Sequence, residues 1–220
     1  MHIKIDLKII LFAVAFLLVG RIEIYVILML FGLIHELGHL LCGLLLGLKP
    51  GQITLMPYGL KLNFRINYND YNKKIKKGNL LSIKKIVLYL AGPITNLIIC
   101  SMVVVLSLFN ENIKLLNCSN EQIFYCNLII AVFNLIPIYP MDGGKILQET
   151  IHIFCGLRKS YKVIQEITWI SLGVFTAFTS IIILQYKNVF LLLILGYLWG
   201  LTIKTEKQLN LKEKIYENLL

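Results

Sequence analysis

Residues 24–48 read IYVILMLFGLIHELGHLLCGLLLGL. This exceeds the roughly 20 apolar residues that a helix needs to cross a bilayer. Its ionisable chemistry is gathered at the middle, in His35-Glu36-Leu37-Gly38-His39. On a helix, positions four apart share a face. Imidazoles at 35 and 39 can therefore grip one metal ion, and Glu36 is placed to take a proton from a metal-bound water. An ionised group at mid-bilayer costs about 2.5–3.5 kcal/mol or more. Three such groups within little more than one turn imply chemistry rather than packing. At about 1.5 Å per residue, the two histidines lie on the order of 15–20 Å below the inner end at Leu48. Water must then reach them through a polar cavity.

The rest of the chain fits the same solvent. Of 220 residues, 57% are hydrophobic and 15% charged, against about 45–50% and about 25% in a soluble domain. Apolar blocks at about 5–20, 24–48, 84–108, 122–139, 166–185 and 188–204 predict six spans. No removable signal peptide is read at the start, so the first block is expected to stay as a span. With the N-terminus inside, the inner segments hold every Lys and Arg of the 22 except Arg21, Lys114 and Lys187. The positive-inside rule then places both termini in the cytoplasm. The net charge of +10 is accounted for by topology, so nucleic acid is not an expected partner. The five cysteines form no CxxC pair and read as small buried side chains.

The inner segment 49–83 is the longest. It opens on Lys49-Pro50-Gly51, which stops a helix. Leu60, Leu62, Phe64 and Ile66 then alternate with Lys61, Asn63, Arg65 and Asn67, a strand pattern. Ile53-Thr54-Leu55 lies upstream, and Pro57-Tyr58-Gly59 makes a turn. The expected fold is an all-α membrane protein. It has six transmembrane helices, a small cytoplasmic-side β-hairpin between helices 2 and 3, and one domain over 1–220.

Catalytic zinc usually takes three protein ligands and keeps one open position. The fourth block ends in NLIPIYPMDGG at 134–144, where two prolines break the helix and two glycines free the backbone. Asp142 is the best third ligand. Cys42, one turn after His39, and His152 are rivals, and a helix-capping role is the other reading of Asp142.

HELGH at 35–39 and NLIPIYPMDGG at 134–144, taken together, resemble the site-2 protease family of intramembrane zinc metalloproteases. Ala91-Gly92-Pro93-Ile94-Thr95-Asn96 is similar to that family's Gly-Pro-x-x-Asn. The resemblance implies Zn2+ on His35, His39 and Asp142, with Glu36 activating water. It implies that Asn134 orients substrate or an oxyanion, and a hydrogen bond to a neighbouring helix is the other reading of both Asn134 and Asn96.

Within the family the chain looks most like the sporulation subgroup, on the lack of a PDZ-like insert and the long NxxPxxPxDGG form, and it departs from that subgroup in that no CBS domain is expected. The implied substrate is a membrane-tethered protein, a pro-sigma factor in that subgroup, and membrane inhibitor proteins are admitted as partners beside the lipid bilayer. Because a protease must hold its substrate extended, the strand at Leu62, Asn63 and Phe64 is expected to receive it. The alternatives are regulated proteolysis of an anti-sigma factor or signal-peptide remnant, and a secondary transporter. A transporter has no need of two histidines flanking a glutamate.

Overall fold

The computed structural model describes residues 3–5, 8–18, 20, 22–56, 59–65, 78–109, 118–186 and 190–217. The chain divides into two compact units, Met1–Gly78 with Val87–Asn134, and Asn79–Ile86 with Leu135–Leu220.

The first unit holds strands β1 (Ile3–Ile5), β2 (Lys49–Met56) and β3 (Gly59–Arg65). Its helices are α1 (Lys8–Leu18), α2 (Ile22–Leu45), most of α3 (Gly78–Leu108) and nearly all of α4 (Asn120–Leu135). α2 is closed just past its end by Gly47, whose φ is 74°. The Leu48 amide donates to Gly43 O at 2.8 Å and the Gly47 amide to Leu44 O at 3.0 Å, the paired closure that a left-handed glycine permits. The stop therefore precedes the Lys49-Pro50-Gly51 signal, and those residues open β2 instead.

β2 runs antiparallel to β3, with Ile53 opposite Leu62, Leu55 opposite Leu60 and a register shift between Pro50 and Ile53. β1 joins parallel to β2, pairing Ile3 with Ile53 and Ile5 with Leu55. With the sheet order β1-β2-β3, β1 and β3 are the edge strands among the described residues. Pro57, Tyr58, Ile66 and Asn67 lie outside the described residues.

The core of this unit is small. Ile27 and Phe31 on α2, one turn apart, meet Val103 on α3 with Cys118, Ile123 and Cys126. Closer to the histidines, α2 and α3 approach through small residues. A Cβ on Gly38 would overlap Thr95 Oγ1 and come within 3.2 Å of Ala91 O. Away from this contact Ile94, Ile98, Met102 and Val105 form an exposed stripe along α3. Such a face is at home in hydrocarbon, where apolar side chains and lipid tails are equivalent.

In the second unit α4 gives way after Leu135, because a residue before proline disfavours the helical region and Ile136 precedes Pro137. The Tyr139–Pro140 peptide is cis. The Tyr139 amide donates to Thr168 Oγ1 at 3.1 Å, and the Met141 amide to Ile138 O at 2.8 Å. Helices α5 (Asp142–Cys155), α6 (Leu157–Tyr186) and α7 (Phe190–Glu217) follow. Lys85 bonds Glu149 at 2.7 Å and Ser82 meets His152 at 3.1 Å. Trp169 and Trp199 join α6 to α7 with centroids 5.5 Å apart.

Three expectations change. Each expected span falls on a helix, but only Ile22–Leu45, Asn79–Leu108 and Leu157–Gln185 are long and apolar enough to cross a membrane among the described residues. α1 has 11 residues and α4 has 16, both short of about 20. In α7, Lys204, Glu206 and Lys207 follow the apolar stretch. α5 was not expected, because Asp142, Lys145, Glu149 and His152 interrupt its apolar residues. β1 was not expected either, because Ile3-Lys4-Ile5 is too short to carry a period.

Candidate metal centre

His35 and His39 lie one turn apart on α2 and are both buried. Their rings stand nearly perpendicular, at 83°, with centroids 4.8 Å apart. Each turns Nδ1 outward and Nε2 toward its neighbour.

The proton on each ring can be located by following the hydrogen bonds. His39 Nδ1 lies 2.7 Å from Leu88 O, and a carbonyl only accepts, so this nitrogen carries the proton. The path from His35 is longer. Asn127 Nδ2 donates to Ile123 O at 2.9 Å. That carbonyl can only accept, which fixes which way the Asn127 amide faces. Asn127 Oδ1 therefore faces Asn96, which donates Nδ2 to it at 2.9 Å. Asn96 Oδ1 is left toward His35 Nδ1 at 2.6 Å, so His35 Nδ1 must donate. Asn96 and Asn127 have no exposed surface, so bulk water does not compete for these amides.

When neutral, both rings are thus protonated at Nδ1, and the two Nε2 atoms 3.2 Å apart present lone pairs to each other. That approach is repulsive unless a proton or a cation sits between them. The space beside them is kept open by Gly92. A Cβ there would overlap Nε2 of both histidines and come within 2.6 Å of His39 Cε1. Leu88, Gly92 and Asn96 follow at intervals of four along α3, so one helix face supplies both acceptors and the gap between them. Two imidazole nitrogens converging on a cradle that a methyl would fill are a donor set that fits zinc.

Glu36 follows His35 on α2 and is half-buried. Asp142 is buried at the start of α5, with Lys145 Nζ 3.0 Å from its Oδ1. The adjoining glycines permit tight backbone packing. A Cβ on Gly143 would fall 2.7 Å from Ile136 O, and one on Gly144 2.7 Å from Ile138 O. Of the rival ligands, Cys42 directs its thiol to Val87 O at 3.8 Å, and His152 Nδ1 faces Ser82 at 3.1 Å and Glu149 at 3.6 Å. Asn134 donates to Ile130 O of its own helix at 3.0 Å. Leu62, Asn63 and Phe64 lie on the edge strand β3, with Asn63 opposite the register shift.

The sequence reading assigned no role to Asn127 or Gly92. Neither carries a periodic signal. The hints were the place of Gly92 in the Gly-Pro-x-x-Asn stretch and, for Asn127, an uncharged polar residue within an apolar helix.

A family model for peptidase family M50 matches residues 119–180. A zinc metalloprotease of Methanocaldococcus jannaschii is 30% identical over 148 residues, 66% of this chain and 39% of the relative. Stage IV sporulation protein FB of Bacillus subtilis is 27% identical over 134 residues, 60% of this chain and 41% of the relative. The chain thus spans about two fifths of the length of these relatives. The solved site-2 protease of Methanocaldococcus jannaschii superposes with a TM-score of 0.69 at 24% identity, over 93% of this chain and 90% of that one, which is a likeness of fold.

Proposed function

We propose that this chain, which matches the peptidase family M50 model over residues 119–180 and shares the fold of a solved site-2 protease, is an intramembrane zinc metalloprotease. The observation that carries this reading is the pair of buried imidazoles whose protons are drawn away to Asn96 and Leu88, with Glu36 beside them. His35 and His39 hold the metal and Asp142 supplies the third ligand. A bound zinc ion contributes Lewis acidity and brings the pKa of water in its open position toward about 7. Glu36 accepts the proton of the attacking water and returns it to the leaving nitrogen. Asn134 orients the substrate near the reacting carbonyl.

The substrate is a membrane-tethered protein cut near the cytoplasmic face, and both termini of the protease lie on that side. The match to a relative named for stage IV sporulation supports a pro-sigma factor as substrate and a bacterial cell membrane as location. An anti-sigma factor or signal-peptide remnant is the second reading.

The test of the metal site is spectroscopic. Purified chain is expected to hold about one zinc, with one carboxylate oxygen at about 2.0–2.2 Å by X-ray absorption. Asp142→Ala should remove that oxygen shell and weaken zinc binding. An unchanged shell in the variant would overturn this ligand set.

Substrate docking is proposed at β3, because an edge strand can pair with an extended peptide and the β2–β3 hairpin follows α2 in the chain. Asn63→Pro removes a backbone donor there. Cleavage should fall at least tenfold while zinc content holds. Unchanged cleavage would mean that substrate docks elsewhere.

A further inference from the structure

The path from His35 through two asparagines is longer than a ligand needs for support. His39 is served by one backbone carbonyl of α3. His35 is served by an amide that is itself held by a second amide, and that one is anchored on Ile123 O of α4. The difference matters because of what an amide can do. A backbone carbonyl can only accept. A lone Asn96 could present either its oxygen or its nitrogen to His35, since its two ends have nearly the same shape. If the nitrogen faced the ring, His35 Nδ1 would have to accept, and its proton would move to Nε2, where the metal has to bind.

We propose that Asn127 is a positioning residue for the zinc ligand. By fixing the orientation of the Asn96 amide, it holds His35 in the one tautomer whose Nε2 lone pair faces the metal. The inference rests on the zinc reading of the same site, but the device operates before any metal arrives. The anchoring carbonyl belongs to the same helix as Asn127, one turn earlier, so the direction of the whole relay is set by local helix geometry. Nothing in it titrates. Asn127→Leu leaves Asn96 without an acceptor for Nδ2, and the amide becomes free to turn over. Asn127→Asp keeps an acceptor toward Asn96.

The tautomer can be read directly in metal-free protein. Two-bond proton–nitrogen correlation spectra of histidine-labelled chain in detergent distinguish Nδ1–H from Nε2–H rings, and the chain has only 4 His to assign. Wild type is expected to show His35 as Nδ1–H, and Asn127→Leu a mixture or the Nε2–H form. Zinc affinity, measured by chelator competition, should fall about 10–100-fold in Asn127→Leu, the usual effect of losing a ligand's supporting partner. Asn127→Asp should stay within a few-fold of wild type.

An Nε2–H His35 in wild-type metal-free protein would overturn the proposal without any variant, which covers the case in which Asn127→Leu does not fold. Unchanged tautomer and affinity in a folded Asn127→Leu would also overturn it, leaving Asn127 as a packing contact. A wild-type chain with the Nδ1–H form but no zinc binding would instead overturn the metalloprotease reading and leave the relay standing.

Discussion

Glu36→Gln should lower peptide cleavage about 10²–10⁴-fold, the usual contribution of a positioned general base, while zinc content stays at the wild-type level. Glutamine matches glutamate in size, so the packing of α2 around residue 36 is preserved. It lacks a basic oxygen, so the attacking water keeps its proton and the leaving nitrogen receives none. Neither His35 nor His39 can take over, because each ring has its Nδ1 proton committed to Asn96 or Leu88 and its Nε2 facing the other ring at 3.2 Å. The measurement pairs cleavage of a membrane-tethered substrate in liposomes with metal analysis of the same preparation. Cleavage within tenfold of wild type would remove Glu36 from the mechanism.

Gly92→Ala should abolish zinc binding in practical terms, with affinity lowered at least 100-fold. The added methyl occupies the space beside both Nε2 atoms. The rings cannot swing aside without giving up their bonds to Leu88 O and Asn96 Oδ1, which flank Gly92 on the same face of α3. Relief by moving α3 away from α2 would open a void at the close Gly38–Thr95 contact. Overpacking of this kind costs about 1–3 kcal/mol, so the variant is also expected to melt lower. Chelator competition and thermal unfolding in detergent check both parts. Zinc affinity near wild type would show that the cradle is wider than the backbone geometry implies.

The two histidines and the adjacent glutamate were legible because a helix converts a spacing of four into a shared face, and because ionisable residues inside an apolar run stand out. Asp142 stands out as a candidate for a similar reason, as an acid placed among prolines and glycines. The helix that begins at Asp142 does not. A search for long apolar runs passes over an amphipathic helix such as α5. Asn127 was illegible because its partner Asn96 lies 31 residues away, and an isolated asparagine carries no spacing to read. The expectation for Asn96 left two roles open, and its bonds join helices α2 and α4 through α3. The reach of the membrane spans was overstated at α1 and α4, where apolar composition alone says nothing about where a helix stops.

The contact between Gly38 and Thr95 has a consequence for motion. Thr95 Oγ1 donates to Ala91 O at 2.8 Å, which holds its side chain against the glycine, and no slack is left between the two helices. Sliding or tilting one against the other would open a void or force a collision, and packed interfaces resist both because they deform in discrete steps. α2 and the central part of α3 should therefore travel as one body, carrying both imidazoles and the relay behind them. Whatever displacement lets a peptide in from the lipid has to be made by other elements of the chain. A crosslink between α2 and α3 should then leave turnover intact.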